Sequence, residues 1–247
     1  MQHSSMKNRL LFFFITIHSI LFSQNTEIGL LVGASIYTGD IEVSPKNFLP
    51  QTRPAVGIFG RQHFSERLAV RALFAIGGVT GNEKKYPTSK VFEERGYNFK
   101  GTVAELALLP EWRPFSIGNV DFYAFLGLAA TYLNPKSNFN DNGSSSSDPT
   151  IVEDQNQKYP KIGLSMPFGG GLQWHINQTT ALGAELGLRK TFTDYIDGFS
   201  ASVNAKSTDF YFLGGITFSK FFSLGNDGAG TKRTRYQRRG VNCPTFN

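Results

Sequence analysis

The 247-residue sequence holds a single cysteine, Cys243, so no disulfide can form within the chain and the fold is held by non-covalent forces. Long apolar runs are missing as well. The longest, Leu10 to Phe22, holds about 13 residues where a membrane-crossing helix needs about 20. With a composition slightly polar on average, this excludes a helical membrane protein. There is no P-loop, no His-Glu-x-x-His, no Gly-x-Ser-x-Gly and no Cys/His cluster of zinc-binding spacing. The sequence therefore predicts no catalytic residue, no cofactor and no metal, and the expectation is a protein that is not an enzyme.

Charge of one sign is also scarce where it would matter. The formal net charge is +6, yet residues 24–225 carry equal numbers of basic and acidic side chains. The excess lies at the two ends. Lys7 and Arg9 precede the Leu10 to Phe22 run, which ends at Ser23-Gln24, and this is the pattern of an export signal over residues 1–23. Met6 gives an alternative start to the same segment. At the other end Lys232, Arg233, Arg235, Arg238 and Arg239 face only Asp227. A basic tail over 226–247 suits an acidic protein surface or anionic lipid, and export argues against nucleic acid.

What the sequence does have is period-two alternation, about eight times between residues 24 and 225. In the first run Ile28, Leu30, Val32, Ala34 and Ile36 share a face, with Gly29, Gly33, Ser35 and Tyr37 on the other. Further runs centre on Val56 and Ile58, on Leu68 to Ile76, on Ala104 to Leu108 and on Phe122 to Tyr132. The last three cover Met166 to Ile176, Leu182 to Leu188 and Phe210 to Phe218. Alternation of this period is a strand signal, since a helix would scatter these residues over every side.

Connections alternate between short (64–66, 114–119, 177–178) and long (38–52, 78–98, 134–163, 194–207), as the periplasmic turns and outer loops of transmembrane barrels do. A soluble barrel or sandwich would put its polar face outward. Here the apolar face is unbroken and the opposite face carries Arg71, Glu105, Glu111, Glu185 and Arg189. The fold class expected is all-β: a transmembrane antiparallel up-and-down β-barrel of about eight strands over 24–225, with both termini periplasmic.

Those five charges predict lumen ion pairs, because a buried charge is tolerated only when paired. Eight strands leave an interior that side chains fill, unlike the open channel of larger barrels. In the third long connection Asn138, Asn140, Asn142 and Gly143 imitate a calcium loop, but Pro149 stands where its bidentate glutamate belongs.

The stretch Arg189-Lys190-Thr191-Phe192-Thr193-Asp194-Tyr195-Ile196-Asp197 resembles the Arg-x-Thr-Phe-Thr-Asp-Tyr-x-Asp motif of the PorG family, outer-membrane barrels of the type IX secretion system. Tyr37-x-Gly39-Asp40, Asn134-Pro135, Pro167-Phe168-Gly169-Gly170-Gly171 and Cys243-Pro244 are similar too. The family pattern continues Asp-Val-Ser, whereas this chain has Gly198-Phe199-Ser200. The resemblance implies a non-enzymatic outer-membrane component of protein export and gliding machinery. It would contact outer-membrane lipid and tether a periplasmic PorK–PorN-like ring, with no catalytic residue carried over. Without the resemblance, an OmpA-like structural or adhesive barrel acting through its outer loops is the alternative.

Overall fold

Alternating side chains can bury one face only if the sheet closes on itself or packs on a partner. The computed structural model describes residues 26–38, 51–82, 98–138, 161–192 and 210–222, and the sheet they form closes. The strands are β1 (Thr26–Thr38), β2 (Arg53–His63), β3 (Leu68–Asn82), β4 (Asn98–Trp112), β5 (Ser116–Ile117), β6 (Val120–Leu126), β7 (Leu128–Asn138), β8 (Ile162–His175), β9 (Thr180–Thr191) and β10 (Phe210–Phe222). All pairings are antiparallel: β1 to β4 pair in sequence order, β6 and β7 both bridge β4 and β8, β8 to β10 pair in order, and β1 pairs with β10 along its full length, from Thr26↔Phe222 to Thr38↔Phe210. The first and last strands thus seal the seam, and no long edge is left to pair with another chain.

Ten strands make eight staves. β6 and β7 occupy one position between β4 and β8, and β5 only folds back on β6 as a short hairpin. The continuous strand expected from Phe122 to Tyr132 is therefore broken, at Gly127. There the amide N–H donates to the Pro167 carbonyl at 2.9 Å, and a Cβ would run into the Leu108 carbonyl oxygen. The chain crosses the neighbouring backbone too closely for any side chain. The hairpin before β6 turns at Gly118, whose φ of 59° is left-handed.

The short connections are held by their own polar side chains. Ser65 Oγ accepts from the amides of Arg67 and Leu68, and Asn177 Oδ1 accepts from the Thr179 amide at 2.9 Å. These are the side-chain turns that Ser and Asn favour.

Burial alternates with the same period. Ile28, Leu30, Val32, Val56, Ile58, Phe74, Leu106, Leu108, Leu164, Leu186, Ile216 and Phe218 are exposed on the outside, while Glu27, Arg61, Arg71, Glu105, Glu111, Glu185 and Arg189 are buried inside. The usual arrangement of a protein in water is inverted. The interior is not wholly polar: Leu31, Phe59, Leu73, Leu109, Tyr123, Phe125 and Leu213 are buried there with the charges.

Strands also run further than the apolar pattern. β3 continues to Asn82 and β7 reaches Asn138, where the sequence reading begins the long connections at 78 and 134. The alternation fades because outward positions turn polar toward the long connections, as in Thr102, Lys100, Asn134 and Lys136. The backbone ladder nonetheless continues.

Candidate functional site

Inward-facing positions recur every second residue, so the eight staves deliver their polar side chains to one narrow interior. The largest group lies toward the short turns. Arg61 reaches Glu27 (Nη1 to Oε1, 2.6 Å) and Glu111 (Nε to Oε2, 2.8 Å). Arg71 reaches Glu111 (Nε to Oε1, 2.8 Å) and Glu185 (Nη1 to Oε2, 2.5 Å). Glu111 thus lies between two arginines, and Glu185 also accepts from the Tyr123 hydroxyl at 2.7 Å. The Arg71 guanidinium lies over the rings of Phe59, Tyr123 and Phe125 at 5.2–5.8 Å, and Arg61 over Phe59 and Tyr123 at 5.0 and 5.3 Å. Where a hydrogen-bond acceptor is lacking, as at Arg71 Nη2, aromatic faces supply the electrostatic contact.

The same network continues to the mouth at the short-turn end. Gln173 Nε2 donates to Glu27 at 2.6 Å. Arg113 meets Asp121 at 3.2 Å. His63 and His175 contact Glu27 and Asp121 at 2.9 and 3.1 Å, and the Phe221 ring stacks with both imidazoles, centroids 5.7 and 5.4 Å away.

A second, separate group lies toward the long connections. Arg189 makes a fork to Glu105, Nε to Oε2 at 3.2 Å and Nη2 to Oε1 at 3.1 Å. Its Nη1 donates to the Gly187 and Leu213 carbonyls. The Tyr211 hydroxyl donates to Glu105 at 2.6 Å. Beside it lies a void of about 10 Å³ lined by Ser35, Ala75, Gly77, Val103, Glu105, Tyr211 and Leu213, about the room of one water.

The five charges picked out by strand parity are thus all inside and all in ion pairs: Arg71 with Glu111 and Glu185, and Arg189 with Glu105. Sequence reasoning did not name Glu27, Arg61, Arg113, Asp121, Tyr123 or Tyr211. Glu27 and Arg61 face each other across β1 and β2. Of the family motif, Thr191 closes β9 buried against the lumen. Phe192 is exposed, its amide donating to the Leu164 carbonyl at 3.0 Å. Thr193, Asp194, Tyr195 and Asp197 lie outside the described residues, as do Lys232, Arg233, Arg235, Arg238 and Arg239 of the tail and the expected export segment 1–23.

Chemically the interior is arranged to neutralise charge, not to develop it. Ser116, Asp121 and His175 come together, but the carboxylate stands in the middle, accepting from Ser116 Oγ on one oxygen and meeting His175 Nε2 on the other. A nucleophilic serine needs the imidazole between itself and the acid. Among the described residues no group of three or more His, Cys, Asp or Glu could hold a metal ion.

No curated protein matches the chain in sequence. Among solved structures it is similar to Ail, the attachment invasion locus protein of Yersinia pestis, solved with the heparin analogue sucrose octasulfate. The identity is 15%, with 80% of this chain and 99% of that one covered and a TM-score of 0.42. Neisserial surface protein A gives 8% identity over 80% and 97% of the two chains, TM-score 0.45. The outer membrane protein OprG of Pseudomonas aeruginosa gives 10% over 81% and 96%, TM-score 0.40. These likenesses are remote, and the barrel stands on its own strand ladder. The family assignment rests on firmer ground: residues 7–228 match the model described as "Domain of unknown function (DUF6089)", and the chain belongs to that family.

Proposed function

We propose that this barrel spans a bacterial outer membrane and serves as a non-enzymatic anchor or assembly factor of a type IX protein secretion and gliding machinery, tethering a periplasmic ring. One observation carries the membrane half of the reading: a closed cylinder whose exposed wall is Leu, Ile, Val and Phe while Glu27, Arg61, Arg71, Glu105, Glu111, Arg113, Glu185 and Arg189 lie inside. From Leu68 to Ile76 the outward face of β3 is wholly apolar. This is about 27 Å along the strand and about 20 Å across the bilayer at a tilt of about 40°. Water would penalise such a wall heavily, and hydrocarbon would not.

The secretion half is supported by the Thr191 to Asp197 motif and its companions, and by the filled lumen. A barrel whose interior is packed with ion pairs has no path for diffusion, so its work falls to its rims, tail and wall. On this reading the termini and short turns face the periplasm, where the basic tail reaches acidic ring proteins.

The test is deletion of the gene, with secretion of the system's cargo as the readout. Loss of export, restored by the full chain, is expected; normal secretion would refute the assignment and leave an adhesive barrel acting through its outer loops. A pull-down from solubilised envelope with and without residues 226–247 then locates the contact. Ring proteins should be captured by the full chain alone.

A further inference from the structure

The wall changes character at one end. Reading β4 outward from the short turns gives Trp112, Pro110, Leu108, Leu106 and Ala104, then Thr102 and Lys100. Its neighbour β7 gives Leu128, Ala130 and Tyr132, then Asn134 and Lys136. The register sets Lys100 directly opposite Lys136. Both side chains are exposed, and among the described residues neither meets a carboxylate. Two like charges facing each other across a strand pair repel and weaken it, and an anion bound between them would relieve that repulsion.

We infer that Lys100 and Lys136 form a binding surface for phosphate-bearing lipid headgroups at the long-connection rim, with Tyr132 as its aromatic shoulder. The inference rests on the membrane reading given above. Lys100 lies four residues past Ala104, the last apolar outward residue of β4, so it sits about 10 Å beyond the apolar band at the tilt used above. That is a few ångströms outside an interfacial layer of about 5–7 Å on each side, a gap that a lysine stem can bend back across. Tyr132, 39% exposed, marks the boundary where barrels place aromatics. Lys190 faces outward on β9 toward the same end. The opposite rim differs: Lys220 lies 5.8 Å from the ring of its own neighbour Phe222. A lipid fits better than an acidic protein because the pair projects from the wall beside the apolar band, not from the barrel mouth.

The test uses the purified full chain in phosphatidylcholine vesicles with and without phosphatidic acid, reading lipid association and the heat-modifiable folded band. The native barrel should insert into both vesicles and prefer phosphatidic acid. Lys100→Gln with Lys136→Gln should insert equally well into phosphatidylcholine while its phosphatidic acid association falls roughly 10- to 30-fold at low salt, from the usual worth of a lysine near an anionic surface. The Lys100→Arg, Lys136→Arg pair should retain it. Equal preference in the glutamine variant would overturn the inference and leave the membrane reading intact. Competition by millimolar inorganic phosphate as strong as that of the lipid would overturn the choice of a lipid ligand. Failure of the native barrel to insert into either vesicle would overturn the membrane reading and this inference with it.

Discussion

Replacing Arg71 by methionine isolates the value of the lumen network. Arg71 is fully buried and makes two ion pairs, to Glu111 and to Glu185. Methionine fills much of the same stem volume, so the cavity cost is small. What changes is the charge. Glu111 keeps Arg61 at 2.8 Å, but Glu185 keeps only the Tyr123 hydroxyl. A carboxylate left inside without its cation should cost about 3–5 kcal/mol. Adding Glu185→Gln removes the stranded charge while leaving Tyr123 an acceptor, so Arg71→Met with Glu185→Gln should return to within about 1 kcal/mol of the native barrel. Equilibrium urea unfolding in phospholipid vesicles measures this. Tryptophan emission is the natural probe, because Trp112 and Trp174 stand on the outer wall and leave the lipid on unfolding. A single variant within about 1 kcal/mol of native, or a double variant no better than the single, would show that the pairs do not hold the barrel as argued.

Arg189→Ala should cost a comparable amount, roughly 3 kcal/mol, because it strands Glu105 beneath Tyr211 and empties volume; the same urea titration reads it. Leu106→Lys places a charge on the middle of the outer wall and should destabilise by about 2–4 kcal/mol in vesicles, with little effect on the unfolded chain. Gly127→Val should slow or prevent formation of the heat-modifiable folded band, since a side chain there meets the Leu108 carbonyl of β4. In planar bilayers the native barrel should show no steady ion conductance at any voltage tested, whereas open-channel currents would contradict a filled lumen.

The strands were legible because the alternation is local: an outward Leu106 and an inward Ala107 differ by one position, whatever the rest of the chain does. The same parity assigned Arg71, Glu105, Glu111, Glu185 and Arg189 to the interior. It could not assign partners, because pairing across a barrel depends on register and tilt. Arg71 and Glu185 are 114 residues apart, and Glu105 and Arg189 are 84 apart. Arg61 went unread because β2 alternates poorly, with Gly57 inside and Gly60 outside in place of larger residues. Gly127 left no trace either, since one glycine within a run of alternating Leu and Ala does not disturb the period. Only the close approach of β4 shows why the strand must break.

The two interior groups share no hydrogen bond among the described residues. One centres on Arg61, Arg71 and Glu111, the other on Arg189, Glu105 and Tyr211. Between them pack Phe59, Leu73, Ala107 and Phe125, part of one buried apolar cluster. An aqueous path would have to break a charge lock in each half and part this layer as well. Each lock also ties strands far apart around the ring, β3 to β9 through Arg71 and Glu185, and β4 to β9 through Glu105 and Arg189. Opening one costs several kcal/mol and leaves the other shut. A conformational signal carried through the lumen is therefore an expensive way for this barrel to act. A rigid cylinder with fixed rims uses the same packing at no such cost, and it is the behaviour the proposed anchor requires.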